Sequence, residues 1–93
     1  MDNNKYVQAI EFIQEEQSKI IGEEISKMIL NNVSGLEFNN GTPEIVGDPK
    51  SILDALVTQY ATLFGQASIM ISKQAIKHVS PSFSTNELPD NLR

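Results

Sequence analysis

Apolar residues recur with the period of an α-helix over residues 3–32 and again over residues 49–79, and the segment between them loses that period. Placed at helical steps, Tyr6, Val7, Ile10, Ile13, Ile20, Ile21, Ile25 and Met28 fall within an arc of about 140°. The opposite side carries Lys5, Glu11, Glu15, Glu16, Lys19, Glu23 and Lys27, with Glu15–Lys19 and Glu23–Lys27 in the favourable i,i+4 order. Phe12 and Leu30 lie off the stripe and point to a second contact. Gly22 costs about 1 kcal/mol relative to alanine inside a helix and marks a place to bend. At ~1.5 Å per residue, one unbroken helix here is about 45 Å long.

The second helix has two seams. Asp48 is a good N-cap and Pro49 suits the first helical position, where a missing N–H costs nothing. Ser80-Pro81 ends the run, because the residue before proline avoids the α region. Its main stripe is Ile52, Leu53, Leu56, Val57, Tyr60, Leu63, Phe64, Ala67, Met70, Ile71 and Ala75, and this phase carries across Gly65, so a continuous helix is expected. The expected core therefore pairs Ile10, Ile13, Ile21, Ile25 and Met28 with Leu53, Leu56, Tyr60, Leu63, Phe64, Ala67, Met70 and Ile71. The other side of the helix holds a heptad-like row of small or β-branched residues: Thr58, Thr62, Gly65, Ile69, Ser72 and Ile76. A two-helix hairpin covers only one of these faces. The row is thus expected to be an interaction seam for a second copy of the chain or for another protein.

Between the helices, Gly35, Asn39-Asn40-Gly41, Pro43 and Gly47 are turn formers. "LEF" and "EIV" either pair as a small hairpin across Asn40-Gly41 or form a loop pinned by Leu36, Phe38, Ile45 and Val46. The loop is the expectation, since an isolated two-stranded hairpin is marginal in water. Residues 80–93 are polar and read as a flexible tail, in which "STNEL" has the spacing of a capping box and one helical turn. The expected fold is all-α: a single domain over residues 1–79, with a helix at 3–32, a turn-rich link at 33–48 and an antiparallel helix at 49–79. Dimerisation would complete this long helical hairpin.

Charge and composition narrow the partners. The chain has 93 residues and a net charge of −5, with only seven Lys and Arg against twelve Asp and Glu. Those basic residues are scattered, which disfavours nucleic acid as a partner. The absence of cysteine excludes a disulfide framework and a thiolate metal site. No basic region followed by an apolar run opens the chain, so a cytoplasmic location is expected. The stretch between Asp54 and Lys73 carries no formal charge, but Thr58, Gln59, Thr62, Gln66, Ser68 and Ser72 are too many polar groups for a membrane span.

Candidate chemistry is sparse. His78, the one histidine, projects onto the main stripe near a helix end and suits a packed or capping role better than a ligand or base. The Glu15-Glu16 and Glu23-Glu24 pairs lack the Glu-x-x-His partner of helical carboxylate metal sites. Neither G-x-G-x-x-G nor a Walker pattern is present. Ser80 or Ser82 beside His78 would lie on the tail, a poor platform for a preorganised triad. The expectation is no catalytic residue, no metal and no cofactor: the chain is not an enzyme.

Residues 50–83 contain Leu53, Leu56, Tyr60, Phe64-Gly65, Ala67, Ile71, Lys73 and Ala75 in the pattern "L..L...Y...FG..A...I.K.A". This resembles a short helical module found at the C-terminal ends of bacterial signalling proteins, notably cyanobacterial kinases, cyclases and two-component proteins. The resemblance covers just over a third of the chain and carries no catalytic residues with it. It implies a regulatory or assembly role through protein–protein contact or homodimerisation. Two other readings stay open: a small acidic inhibitor, of antitoxin or immunity type, that occupies a basic partner, and a helical bundle binding a small molecule near Tyr60, Phe64 and Met70.

Overall fold

The structure, a computed structural model, describes residues 4–39, 42–79 and 83–92. It is mainly helical, with α1 (Asn4–Ile21), α2 (Glu23–Asn31), α3 (Pro49–Phe64) and α4 (Gln66–Ile76). A two-stranded sheet of β1 (Leu36–Asn39) and β2 (Thr42–Ile45) lies between α2 and α3, and 3-10 turns at Thr85–Glu87 and Asp90–Leu92 follow α4. Each expected long helix is therefore two helices, broken at Gly22 and Gly65, and the all-α expectation gains a small sheet. The longest dimension is 32 Å, too short for a helix of about 45 Å.

The two breaks share one mechanism. Gly22 has φ 91° and ψ 152°, and Gly65 has φ 76° and ψ −162°, conformations that disfavour a side chain. The Gly22 N–H still donates to the Ser18 carbonyl at 3.0 Å, and its own carbonyl accepts from the Ser26 N–H at 3.2 Å. At Gly65, the N–H reaches the Ala61 carbonyl at 2.7 Å and the carbonyl accepts from the Ser68 N–H at 3.1 Å. Each glycine thus closes one helix and opens the next through its backbone alone, so the break leaves few orphaned polar groups.

α1 packs mainly on α4 and α2 on α3, around a core of Ala9, Ile10, Ile13, Ile29, Leu30, Leu53, Leu56, Val57, Tyr60, Ala75 and Val79. At the start of α3, Asp48 accepts from the Ser51 N–H at 3.3 Å and the Ser51 hydroxyl at 2.6 Å, with Pro49 in the first turn. The Ser51 hydroxyl bond in particular holds the Asp48 carboxyl below its ordinary value.

Residues 33–48 form a hairpin rather than the expected loop. Its strands pair antiparallel with Leu36 opposite Ile45 and Asn39 opposite Thr42, which leaves Asn40 and Gly41, outside the described residues, between them. The sheet survives because it is not isolated: Leu36 and Pro43 are buried, and β2 packs on α1. Its base is closed by Gly35, whose carbonyl accepts from the Val46 N–H at 2.7 Å.

The tail is docked. Ser84 and Glu87 form the expected capping box, with the Ser84 N–H 2.8 Å from the Glu87 carboxylate. Glu87 is paired with Lys5 at 2.9 Å, and its backbone carbonyl accepts from the Tyr6 hydroxyl at 2.8 Å. The Ser84 N–H, and after it Lys5, hold the Glu87 carboxyl down to about 2. Phe83 meets the Tyr6 ring edge-on at 5.1 Å, and Leu92 is buried with the second turn against α3 and α4. These contacts replace the flexible tail of the sequence reading; residues 80–82 and 93 lie outside the described residues.

Candidate interaction surface

Two buried polar contacts set the level at which the helices cross. Gln17 of α1 is buried and donates to the Ser68 carbonyl at 3.1 Å and the Ser72 hydroxyl at 3.4 Å, both on α4. The Ser26 hydroxyl of α2 meets the Tyr60 hydroxyl of α3 at 2.6 Å, with both residues fully buried. Burial holds the Tyr60 phenol above its usual value, partly offset by the Ser26 bond. Along the chain, Gly22 lies between Gln17 and Ser26, and Gly65 lies between Tyr60 and Ser68. The two breaks therefore face the same level, and both helical halves turn there to make one elbow.

The elbow changes which face is inside. After each glycine, buried residues sit one position on from the expected stripe, Ser26 and Ile29 in place of Ile25 and Met28 and Ser68 and Ser72 in place of Ala67 and Ile71, until Ala75 of the stripe is buried again beside Ile76. One residue of helix is a rotation of about 100°. Before the breaks, Ile10, Ile13, Leu53, Leu56 and Tyr60 are buried as the stripe places them. Around and after the breaks, Ile25, Met28, Leu63, Phe64, Ala67 and Met70 are exposed, and Ile21 and Ile71 are half-buried.

The interaction seam divides at the same point. Thr58, Thr62 and Gly65 are exposed, Ile69 is half-buried, and Ser72 and Ile76 are turned into the protein's own core. No single face joins all six. Thr62 bonds back to the Thr58 carbonyl at 2.8 Å, and Thr58 also meets Asn91 of the tail at 3.4 Å. The row expected to receive a partner is thus part solvent, part tail contact and part core.

What the elbow leaves outside is a set of large apolar side chains: Ile20, Ile25, Met28, Leu63, Phe64 and Met70, each 40–65% exposed. Scattered apolar residues need no explanation, but ones that share a groove mark a contact surface. Ile20 and Met70 share a groove between α1 and α4 of about 370 Å³, lined also by Glu16, Lys19, Ile71, Gln74 and His78. Sequence reasoning missed this groove because it placed Met70 and Ile71 inside. Gln17 was also missed, although it continues the Ile10–Ile13 row by one turn and so had a visible signal.

Glu11 and Glu15 of α1 and Glu23 of α2 line a neighbouring depression, and Glu16 pairs with Lys19 at 3.3 Å in place of the expected Glu15. α4 carries Lys73, and Lys77 and His78 follow it, with no acidic residue anywhere between Asp54 and Glu87. His78 is exposed and stands 5.7 Å from the Phe12 ring, beside the groove. Tyr60, Phe64 and Met70 do not line a common pocket, since Tyr60 is buried while the other two are on the surface.

Among the described residues, no cluster of three or more acidic or histidine side chains is placed to hold a metal ion. No helix of the described residues is long and apolar enough to cross a membrane. Comparison with protein-family models, with curated proteins and with solved structures gives no match, so the surface itself carries the functional reading.

Proposed function

We propose that this chain is a non-enzymatic protein–protein interaction module that docks through the apolar face of its elbow, in a regulatory or assembly role. The observation that carries this is the exposure of six large apolar side chains in the segments flanking Gly22 and Gly65, two of which, Ile20 and Met70, share the groove between α1 and α4. Fully burying side chains of this size yields about 1.5–3 kcal/mol each, a gain the chain leaves for a partner to collect. The resemblance of residues 50–83 to a helical module of bacterial signalling proteins supports a cytoplasmic signalling setting. Phe64, Gly65 and Ala67, which belong to that pattern, are exposed at the elbow, whereas Leu53, Leu56, Tyr60 and Ala75 build the core.

A photo-crosslinking amino acid placed at Met70 tests this in cells that make the protein. It should give a discrete cross-linked species containing the chain, whereas the same probe at exposed Thr42 on the hairpin should give none. Free chain from both positions would contradict an elbow-docked partner.

A further inference from the structure

We infer that the cleft where α1, α2 and β1 meet is a binding site for a small monocarboxylate with an apolar or aromatic body. The cleft measures about 240 Å³ and is lined by Gln14, Lys27, Leu30, Asn31 and Phe38. It shares no lining residue with the groove between α1 and α4 and does not depend on a partner docking there.

The floor of the cleft is apolar. Leu30 is fully buried, and Phe38 is half-buried on the same side of β1 as buried Leu36. The alternation of the strand therefore turns Phe38 toward the helices, where its ring offers a planar group a face to lie against.

Three polar groups stand around that floor: the Lys27 ammonium and the side-chain amides of Gln14 and Asn31. Among the described residues, none of the three has a hydrogen-bond or ion-pair partner. Lys27 does not make the Glu23 pair that its spacing favours, and Glu23 lines the neighbouring depression instead. An unpaired ammonium beside two unpaired amides is a donor set for one carboxylate. The ammonium meets its charge, and the amide N–H groups donate to its oxygens.

Charge and size narrow the ligand further. Lys27 is the single cation on the cleft, and the adjoining depression, which shares Gln14 with it, holds Glu11, Glu15 and Glu23. Lys19, the cation of that depression, is paired with Glu16. A phosphate or a dicarboxylate would bring a second negative charge with no second cation to meet it. At about 240 Å³ the cleft lies just below the ~300–1,000 Å³ of drug-sized sites, so it takes one ring rather than several.

Phenylacetate is the probe, with phenylacetamide as its neutral counterpart and acetate as its ringless fragment. A ligand of about ten non-hydrogen atoms binds with a dissociation constant on the order of millimolar at ordinary efficiency. Titration of isotope-labelled protein, followed by amide NMR shifts, should saturate with phenylacetate and move the side-chain amides of Gln14 and Asn31. Phenylacetamide should bind roughly fivefold more weakly, because it lacks the charge that Lys27 meets. Lys27→Met, at an exposed position, should bring phenylacetate down to the affinity of the amide, while Lys27→Arg should keep most of the difference. Helical circular dichroism confirms that both variants are folded. Acetate should give no saturable shift, and acetate binding as tightly as phenylacetate would reduce the site to a surface ion contact and overturn the proposal. Equal affinity for phenylacetate and phenylacetamide, a phenylacetate affinity unchanged in Lys27→Met, or no saturable shift with phenylacetate would overturn it too.

Discussion

Gly35→Val should be among the most damaging single substitutions in the chain, lowering stability by about 4 kcal/mol. A Cβ at Gly35 would lie 2.6 Å from the Val46 carbonyl oxygen and 2.9 Å from Ile52 Cδ1. The oxygen is backbone at the base of the hairpin, where Val46 is already bonded to Gly35, so it has little room to retreat. The residue also sits at φ 86°, which a β-branched side chain strongly resists. Backbone strain of ~1–3 kcal/mol and overpacking of ~1–3 kcal/mol add here because they arise from different atoms. Gly22→Ala and Gly65→Ala are the contrast, since a Cβ at either meets nothing within 4 Å. Those two should cost only the backbone strain of their glycine-specific conformations, about 1–3 kcal/mol. Urea melts of the three variants check the order, and a Gly35→Val chain as stable as Gly22→Ala would mean the hairpin base is not packed as described.

Leu92→Ala should cost about 2–5 kcal/mol, the range for a leucine truncated in a packed site. Leu92 is 3% exposed and its turn lies against α3 and α4. A flexible tail would predict no change at all, so the substitution separates the two descriptions cleanly. Asn86→Ala, on the exposed side of the preceding turn, should leave the midpoint unmoved. The expected signature is a lower denaturant midpoint with unchanged slope for Leu92→Ala. Equal midpoints for the two variants would return the tail to solvent.

What the sequence makes legible here is mostly local. The start of α3 follows from Asp48 and Pro49, and the 3-10 turn after Ser84 follows from the Ser84/Glu87 spacing, because both depend on atoms within one turn. Asn40-Gly41 was a usable hairpin signal. The hairpin's own residues favour a loop, because they carry no sign of the helix that supports β2. The tail carried a similar clue in Leu88 and Leu92, four residues apart, with no local indication of what they would touch.

The phase change at the elbow was not legible, for a physical reason. A glycine inside a helix costs only about 1 kcal/mol, and the apolar pattern runs across both Gly22 and Gly65 without a fault. Local energetics therefore favour two straight helices. The bent arrangement is held by contacts distant in sequence, Ser26 with Tyr60 and Gln17 with Ser68 and Ser72, whose polar side chains would otherwise be poor choices for a core. The candidate surface inherits that illegibility. Residues assigned to the core stripe form the exposed face, and Ser72 and Ile76 of the expected seam form part of the core.

Both helices change phase at their glycines, and the chain's lack of native cysteine allows this to be measured residue by residue. Single cysteines at positions 26, 28, 67 and 68, examined in dilute protein with a thiol-reactive reagent, report which side of each helix faces water. Met28→Cys and Ala67→Cys should react at the rate of an exposed thiol, while Ser26→Cys and Ser68→Cys should stay blocked until the protein unfolds. The reverse order, with 28 and 67 blocked and 26 and 68 reactive, would show the apolar stripe running straight through both glycines and would contradict the elbow.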